Sequence, residues 1–263
     1  MAVQNESPVT GSVLLYHNPE PLDAERHAKL GLRRSPTPFG FAAGQHYVPL
    51  NVNEFGPAGV IYPIIFAGEV HTPLAVLGLQ EGENVFVDDK GAYRPGCYVP
   101  AFLRRYPFIG AVDNAAQRVV VCVDRGASLL TEDKPDLPLF ENGEATDYTK
   151  NCVEFCSQYD TDRARTESFV GLLNELELFE PKQTTYSPRA PDGTPGQPVL
   201  VSEYFAVSEE KLKALSPERL VQLRDTGALA QIYAHLHSLF LWDRLISDTL
   251  IQRNAALIVA GNA

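Results

Sequence analysis

The stretch CYVPAFLRRYPFIG, Cys97 to Gly110, is the first place in this chain where residue types suggest chemistry. It sets Arg104 and Arg105 between a proline-started apolar segment and a Tyr-Pro pair. Guanidinium groups bind carboxylates and phosphates through paired hydrogen bonds. With Tyr98 and Tyr106 as flanking aromatic surface, Tyr98, Arg104, Arg105 and Tyr106 form the candidate anion or partner contact. The competing reading is structural: in an acidic protein, two arginines on a corner pair with nearby carboxylates and solvate its outer face. Pro100 suits a first helical position, and Pro107 biases Tyr106 towards extended backbone. A short helical corner is expected. Phe102, Leu103 and Tyr106 would share its inner side, while Arg104, and less fully Arg105, lean outward.

Other chemistry finds less support. Cys97, Cys122, Cys152 and Cys156 include no Cys-x-x-Cys pair and form no zinc spacing with the six histidines. Cys152 and Cys156, four apart, stack on one helical face; they read as buried thiols, with a redox or metal pair as the alternative. A non-haem iron site needs His-x-Asp/Glu and a distant His, and none of His17, His27, His46 and His71 begins such a pair. His235 and His237 point about 200° apart on a helix and chelate poorly. The Gly-x-Ser-x-Gly elbow, the phosphate loop and the dinucleotide glycine fingerprint are absent. Asp88 and Asp89 sit at a turn and read as solvated. No catalytic, cofactor-binding or metal-ligating residue is assigned. An enzyme with a site assembled from distant residues stays open as an alternative.

The elements that must position these residues divide the chain. Residues 1–148 read as β-rich and 149–263 as mainly helical, together forming one integrated domain. Ser12 to His17 is a strand candidate, and Asp23 to Leu30 a short helix stopped by Gly31. The proline-punctuated SPTPFGFAAG is an extended loop. Two segments then repeat a plan: Val-Pro, short corner, Tyr-Pro, strand, turn, strand. The first enters at Val48-Pro49 and passes Tyr62-Pro63; the second enters at Val99-Pro100 and passes Tyr106-Pro107. This is either an internal duplication or a recurring way to enter a hairpin. Between them lies a further hairpin with its tip at Asp89-Lys90-Gly91.

From Thr149, Phe169, Leu172, Leu173 and Leu176 recur at helical steps, and Pro181 is expected to end that run. Thr184 to Pro198 reads as a turn-rich excursion. VLVSEYFAV reads as a strand returning to the β part. Ser208 and Ser216 cap two short helices, the second with Pro217 at its first position. A long final helix carries Leu229, Ile232, Leu236, Leu239, Ile246 and Leu250 along one side. The fold class is α+β: a β-rich first half, as a small barrel or a twisted antiparallel sheet, packed with a helical second half.

At 263 residues the chain can bury a substantial core. A net charge of −11 disfavours nucleic-acid binding. The acidic stretch Glu132 to Asp147 lacks calcium-loop spacing and reads as a solvated loop. No apolar run reaches the length of a membrane span, so membrane insertion is not expected. The N-terminus has no basic leader before an apolar core. The expected location is cytoplasmic, with the cell surface by leaderless export as the alternative.

Several stretches together resemble one family. LYHNPEPLDAERHAKLGL, FAAGQHYVPLNVNEF, YPIIF, LGLQEGENVFVDDKGAYRPGCYVPAFLRRYPF and AHLHSLFLWDRL are similar, in order and spacing, to the bacterial SapC family. The resemblance spans nearly the whole chain, and GENVFVD with YVPAFLRRYPF carries most of it. It implies no catalytic residues and no cofactor. The family name implies association with a surface layer. The neighbours of its members imply work beside halogenase-like or oxygenase-like enzymes. The expected function is that of a soluble accessory or binding protein for a protein or peptide partner, with homo-oligomers open.

Overall fold

The computed structural model describes residues 13–113, 118–188, 194 and 196–261. In chain order come β1 (Pro19–Pro21), β2 (Gly31–Leu32), β3 (Tyr47–Pro49), α1 (Phe55–Ala58), β4 (Ile64–Ala67) and β5 (Thr72–Val76). Next are α2 (Ala101–Arg104), β6 (Phe108–Asp113), β7 (Arg118–Asp124), β8 (Leu130–Thr131), β9 (Leu137–Pro138), β10 (Phe140–Glu141) and β11 (Glu144–Ala145). The second half holds α3 (Asp147–Glu175), β12 (Phe179–Tyr186), β13 (Val199–Val207), α4 (Glu209–Lys213), α5 (Pro217–Asp225), α6 (Ala228–Ser238) and α7 (Trp242–Gly261). The fold is α+β.

The strands form no closed barrel, which corrects that alternative. They split into separate sheets: β12-β13-β4-β5-β3, β1-β7-β6, β8-β2-β9 and the pair β10-β11. Many strands are only two or three residues long, too short to carry a continuous ladder around a barrel. The main core lies between the five-stranded sheet, α3 and the C-terminal helices, with Phe55, Tyr62, Phe66, Leu173 and Leu223 buried in it. A smaller core gathers Leu30, Leu32, Phe108, Val123, Leu139 and Cys156.

Both hairpins following a Tyr-Pro pair form as expected, β4–β5 and β6–β7, each preceded by a helical corner. They belong to different sheets. Near the N-terminus the expectations fail. Val13 to Tyr16 is a turn, closed by Tyr16 N–H to Val13 C=O at 3.1 Å with Leu15 at φ 76°. The strand lies further on, at β1, because the Asp124 carboxylate takes the amides of His17 and Asn18 at 3.1 and 2.7 Å. Asp23 to Leu30 makes turns rather than a helix. Its histidine bends back so that Nδ1 of His27 accepts from Asp23 N–H at 3.0 Å, a local bond that competes with helix propagation. Gly31 consequently sits in β2. The loop before β3 contains a 3-10 turn at Gly40–Ala42. The Asp89-Lys90-Gly91 tip forms, but its strands shrink to one bridge, Val87 to Tyr93. The acidic stretch carries β9, β10 and β11.

The helix α3 is capped by Thr146, whose hydroxyl accepts from Thr149 N–H at 3.3 Å. Phe169 and Leu173 face the core and Leu172 and Leu176 are half-buried, as the spacing predicts. Pro181 does not end it. The end is a left-handed residue, Glu177 at φ 53°, with Leu178 N–H closing back on Leu173 C=O at 3.0 Å. Pro181 instead lies in β12, the outermost strand of its sheet, where a missing amide costs no ladder bond. The first three residues of the expected excursion, Thr184 to Tyr186, extend β12; residues 189–193 and 195 lie outside the described residues. β13 returns to the first-half sheet, pairing Phe205 with Phe66 of β4.

The final helix is interrupted. A 3-10 turn, Leu239–Leu241, separates α6 from α7. The buried stripe of α6 runs through Ala228, Ile232, His235 and Ser238, one position away from the expected Leu236. Polar residues win those places because they satisfy sheet backbone: Ser238 Oγ accepts from Ile64 N–H at 2.9 Å. The fully buried His235 donates from Nδ1 to Ile64 C=O at 2.9 Å and accepts at Nε2 from Val207 N–H at 3.1 Å. It thus staples β4 and β13 together in the neutral form.

Burial holds the His235 pKa down to about 4, against 6.5 in an open chain. The unfolded chain therefore binds a proton in that window and the folded one does not. The staple is fully stabilising above pH 6.5, and its contribution is lost as pH falls towards 4. The loss is on the order of 3 kcal/mol. In urea titrations from pH 7 to 5, the midpoint of the wild type should fall more steeply than that of His235→Gln. Equal slopes would show that this imidazole does not set the pH response.

Candidate functional site

The corner carrying the two arginines forms, with its extended cap at Pro100 (φ −53°, ψ 141°) rather than at the first helical position. Leu103 and Arg104 amides close on Pro100 C=O at 2.9 and 3.1 Å. Ala101, Phe102 and Leu103 are buried. The two arginines then part. Arg104 is exposed, as expected. Its Nε donates to Val99 C=O at 3.0 Å and its Nη2 to the Tyr98 hydroxyl at 3.1 Å, with the guanidinium 5.1 Å from the Phe155 ring centre.

Arg105 does not lean outward; only 7% of it is exposed. Its guanidinium carbon lies 4.1 Å from the Tyr159 ring centre, 4.6 Å from that of Phe102 and 5.6 Å from that of Tyr16. The reversal has a physical cause. Aromatic faces from the N-terminal turn, α2 and α3 converge there, and cation–π contacts of about 0.5–2 kcal/mol each favour a weakly hydrated guanidinium over solvent. Those contacts leave hydrogen-bonding capacity unused: the buried Nε of Arg105 has no partner, and among the described residues no carboxylate pairs with this side chain.

The remaining members of the expected contact are committed elsewhere. The Tyr98 hydroxyl donates to Glu54 Oε1 at 2.8 Å, and burial and that carboxylate push its pKa up to about 12, so it stays a neutral donor. Tyr98 C=O receives the Tyr62 hydroxyl. Tyr106 stacks on Phe41 at 4.0 Å and reaches Asp124 at 3.4 Å. Of Tyr98, Arg104, Arg105 and Tyr106, only Arg105 lines the large cleft described next.

That cleft has a volume of about 930 Å³. β6 lies along one side, the β3–β5 end of the five-stranded sheet along another, and α3 lines it between them. Leu50, Pro73, Phe102, Ile109, Tyr159 and Val170 give it apolar walls. Glu69, Asp160, Arg163 and Glu167 bring charge to it. Arg163 is occupied by Glu167 and by Asp160 at 3.7 Å. His71 is held by Asn174 at 2.8 Å and stacks on Phe179. A cleft of this kind, mostly apolar with a few placed polar groups, is the usual form of a binding site. Arg105 also lines a smaller cavity of about 150 Å³, together with Arg104, Tyr106, Tyr148, Cys152 and Phe155.

Glu54 sets the position of Arg105. This carboxylate is 3% exposed. Oε2 accepts from Asn51 N–H at 3.0 Å; Oε1 accepts from Tyr98 at 2.8 Å and from Ala101 N–H, the first residue of α2, at 2.7 Å. It thereby joins the corner at Val52–Ala58 to the corner that carries Arg105. The same 3-10 turn is tied to α3, since Val52 N–H donates to Thr166 Oγ1 at 2.9 Å and Asn53 Nδ2 to Asp162 at 3.0 Å.

The cysteines are all free. Burial pushes Cys122 up to about 11 and Cys156 up to about 12, so both remain protonated thiols near neutrality. Among the described residues no group of three or more His, Cys, Asp or Glu is placed to hold a metal ion. Among the same residues no helix is long and apolar enough to cross a membrane. The sequence reading missed Tyr159, Asp160 and Arg163. Their only signal was a one-face spacing on α3 with Thr166 and Glu167, which means little until a cleft is known to lie there.

The comparison that assigns the chain is with protein families: the SapC family model matches residues 22–245. The chain belongs to the SapC family. The matched span includes α2, the cleft and most of the C-terminal helices of this SapC protein. No curated protein and no solved structure matches it.

Every partner of Glu54 in this SapC protein is a donor. Glu54→Gln must turn an NH2 group towards one of them, so the variant should lose about 2–3 kcal/mol in urea unfolding. A loss below about 0.5 kcal/mol would show that the carboxylate does not hold the corners together.

Proposed function

We propose that this SapC protein is an accessory binding protein whose cleft receives a carboxylate-bearing ligand or partner, with Arg105 as the anion contact. One observation carries the reading: a buried, permanently charged side chain that lines an apolar cleft and has no carboxylate partner among the described residues. An unpaired buried charge is costly, and a carboxylate reaching its guanidinium would complete it through a charge-assisted bond. The phenols around it support binding rather than proton transfer. Burial pushes Tyr159 up to about 12 despite the opposing pull of Arg105, and it raises Tyr16 further. The rest of the cation's shell is thus neutral and aromatic, suited to an apolar ligand body.

Arg105→Met keeps much of the volume and removes the charge. Without ligand the variant should be as stable as the wild type or up to about 2 kcal/mol more stable, because an incompletely paired buried ion is gone. N-acetyl-L-phenylalanine should raise the melting temperature of the wild type. N-acetyl-L-phenylalaninamide should not, and neither should stabilise Arg105→Met. Equal shifts by the acid and the amide, or an unchanged response in the variant, would overturn carboxylate binding at Arg105.

A further inference from the structure

We infer that the cleft is a channel for a long, unbranched carboxylic acid of the fatty-acid class, with its head at Arg105 and its chain laid along α3 towards His71. This rests on the reading of Arg105 above and names its ligand. Four features lead to it.

The first is length. The face that α3 turns to the cleft runs through Tyr159, Arg163, Thr166, Val170 and Asn174, at steps of three and four. The ends of that face mark the ends of the cleft. The Arg105 guanidinium carbon lies 4.1 Å from the Tyr159 ring centre, and Asn174 holds His71 at 2.8 Å. The helical rise from residue 159 to residue 174 is about 22 Å at 1.5 Å per residue, the span of an extended acid of roughly sixteen carbons.

The second is the wall. Apolar side chains enter the lining from several elements: Leu50 just after β3, Pro73 from β5, Ile109 from β6 and Val170 from α3. At the His71 end Val70 also lines the cleft, although it is 73% exposed. A chain reaching that end would cover it. Burial of apolar area scales with the number of methylenes, so such a wall rewards a long chain over a compact one.

The third is Gly171. It sits within α3, one turn before the helix ends, and lines the cleft. A Cβ there would meet no atom within 4 Å, so no protein group requires glycine at this place. Glycine inside a helix is destabilising relative to alanine. What it leaves is open space beside the helix backbone, where a hydrocarbon chain can lie.

The fourth is charge. Arg163 pairs with Glu167 and lies 3.7 Å from Asp160. Among the described residues, Arg105 is the arginine of this lining left without a carboxylate. One such cation suits one acidic head. Glu69, Asp160 and Glu167 oppose a second anionic group on the ligand, which disfavours dicarboxylates and phosphate esters.

The test uses the full-length protein and cis-parinaric acid, a fluorescent long-chain acid, displaced by octanoic, dodecanoic and hexadecanoic acids below micelle formation. Affinity should rise about two- to fourfold for each added methylene up to hexadecanoic acid and level off at longer chains. Hexadecanol should bind roughly tenfold or more weakly than hexadecanoic acid, and Arg105→Met should bring the acid down to the level of the alcohol. Gly171→Leu should melt no lower than the wild type. It should keep octanoic acid within about threefold and weaken hexadecanoic acid by about tenfold or more. Val70→Asp, at an exposed position, should weaken hexadecanoic acid several-fold and leave octanoic acid unchanged. A plateau at octanoic acid overturns the channel, as does hexadecanoic acid binding unaffected by a folded Gly171→Leu or by Val70→Asp. Either result leaves carboxylate capture standing where N-acetyl-L-phenylalanine still stabilises the wild type. Equal binding of hexadecanol and hexadecanoic acid overturns the acid head, and with it the reading of Arg105. No binding of cis-parinaric acid, with N-acetyl-L-phenylalanine still stabilising the protein, restricts the cleft to compact acids and overturns the long chain.

Discussion

Two buried charges of opposite sign govern the centre of this molecule, and they are satisfied unequally. Glu54 accepts three hydrogen bonds, from Asn51, Tyr98 and Ala101, and needs no cation. Charge-assisted bonds to backbone amides compensate much of the cost of burying a carboxylate. Because its donors come from both helical corners, the corners cannot shift relative to one another without exposing or orphaning it. Arg105 follows directly from that constraint. With Ala101 fixed against Glu54, the last turn of α2 points its arginine at Tyr16, Phe102 and Tyr159. The cation is stabilised by ring faces, but its Nε–H is left with nothing to meet.

The cleft exists because α3 is held at a distance from the sheet by polar contacts instead of a continuous apolar seam. Its last turns bury Phe169, Val170 and Leu173; the turns before them bury Cys156 and Tyr159 together with the polar Thr149, Asp162 and Thr166. Thr166 and Asp162 take donors from the 3-10 turn ahead of α1. Such bonds have fixed lengths and directions, so they set a gap that apolar side chains would otherwise close. Across that gap the terminal strand β6 of one sheet and the β3–β5 end of another line the same space. The His235 and Ser238 staples do the corresponding work at the far side of the five-stranded sheet, tying α6 to backbone rather than to side chains.

Membership in the SapC family covers the span that builds this arrangement but brings no functional residue with it. The case for a binding role therefore stands on the asymmetry between Glu54 and Arg105 and on the shape of the cleft. Tyr98 and Arg104, adjacent in sequence to that machinery, form a bracket around Glu54 on the exposed side. They support the corner without lining the cleft.

Local chemistry made much of the architecture legible. The two Tyr-Pro hairpins, β13, α4, α5 and the Phe169–Leu173 face of α3 follow from turn residues, caps and periodicity, each contained within a few neighbouring residues. Where a distant group competed, the sequence misled: Asp124 capturing the His17 and Asn18 amides moved the first strand, and the demand of Ile64 and Val207 for partners rotated the buried stripe of α6 onto His235. The arginine pair is the sharpest instance. Sequence alone determined that two guanidinium groups would sit on a short helical corner. Successive residues on such a corner point about 100° apart, so which one entered the interior depended on where Tyr16 and Tyr159 arrived from remote parts of the chain. Only the tertiary structure decided that, because burial is a property of what packs around a residue and not of the residue's neighbours in sequence.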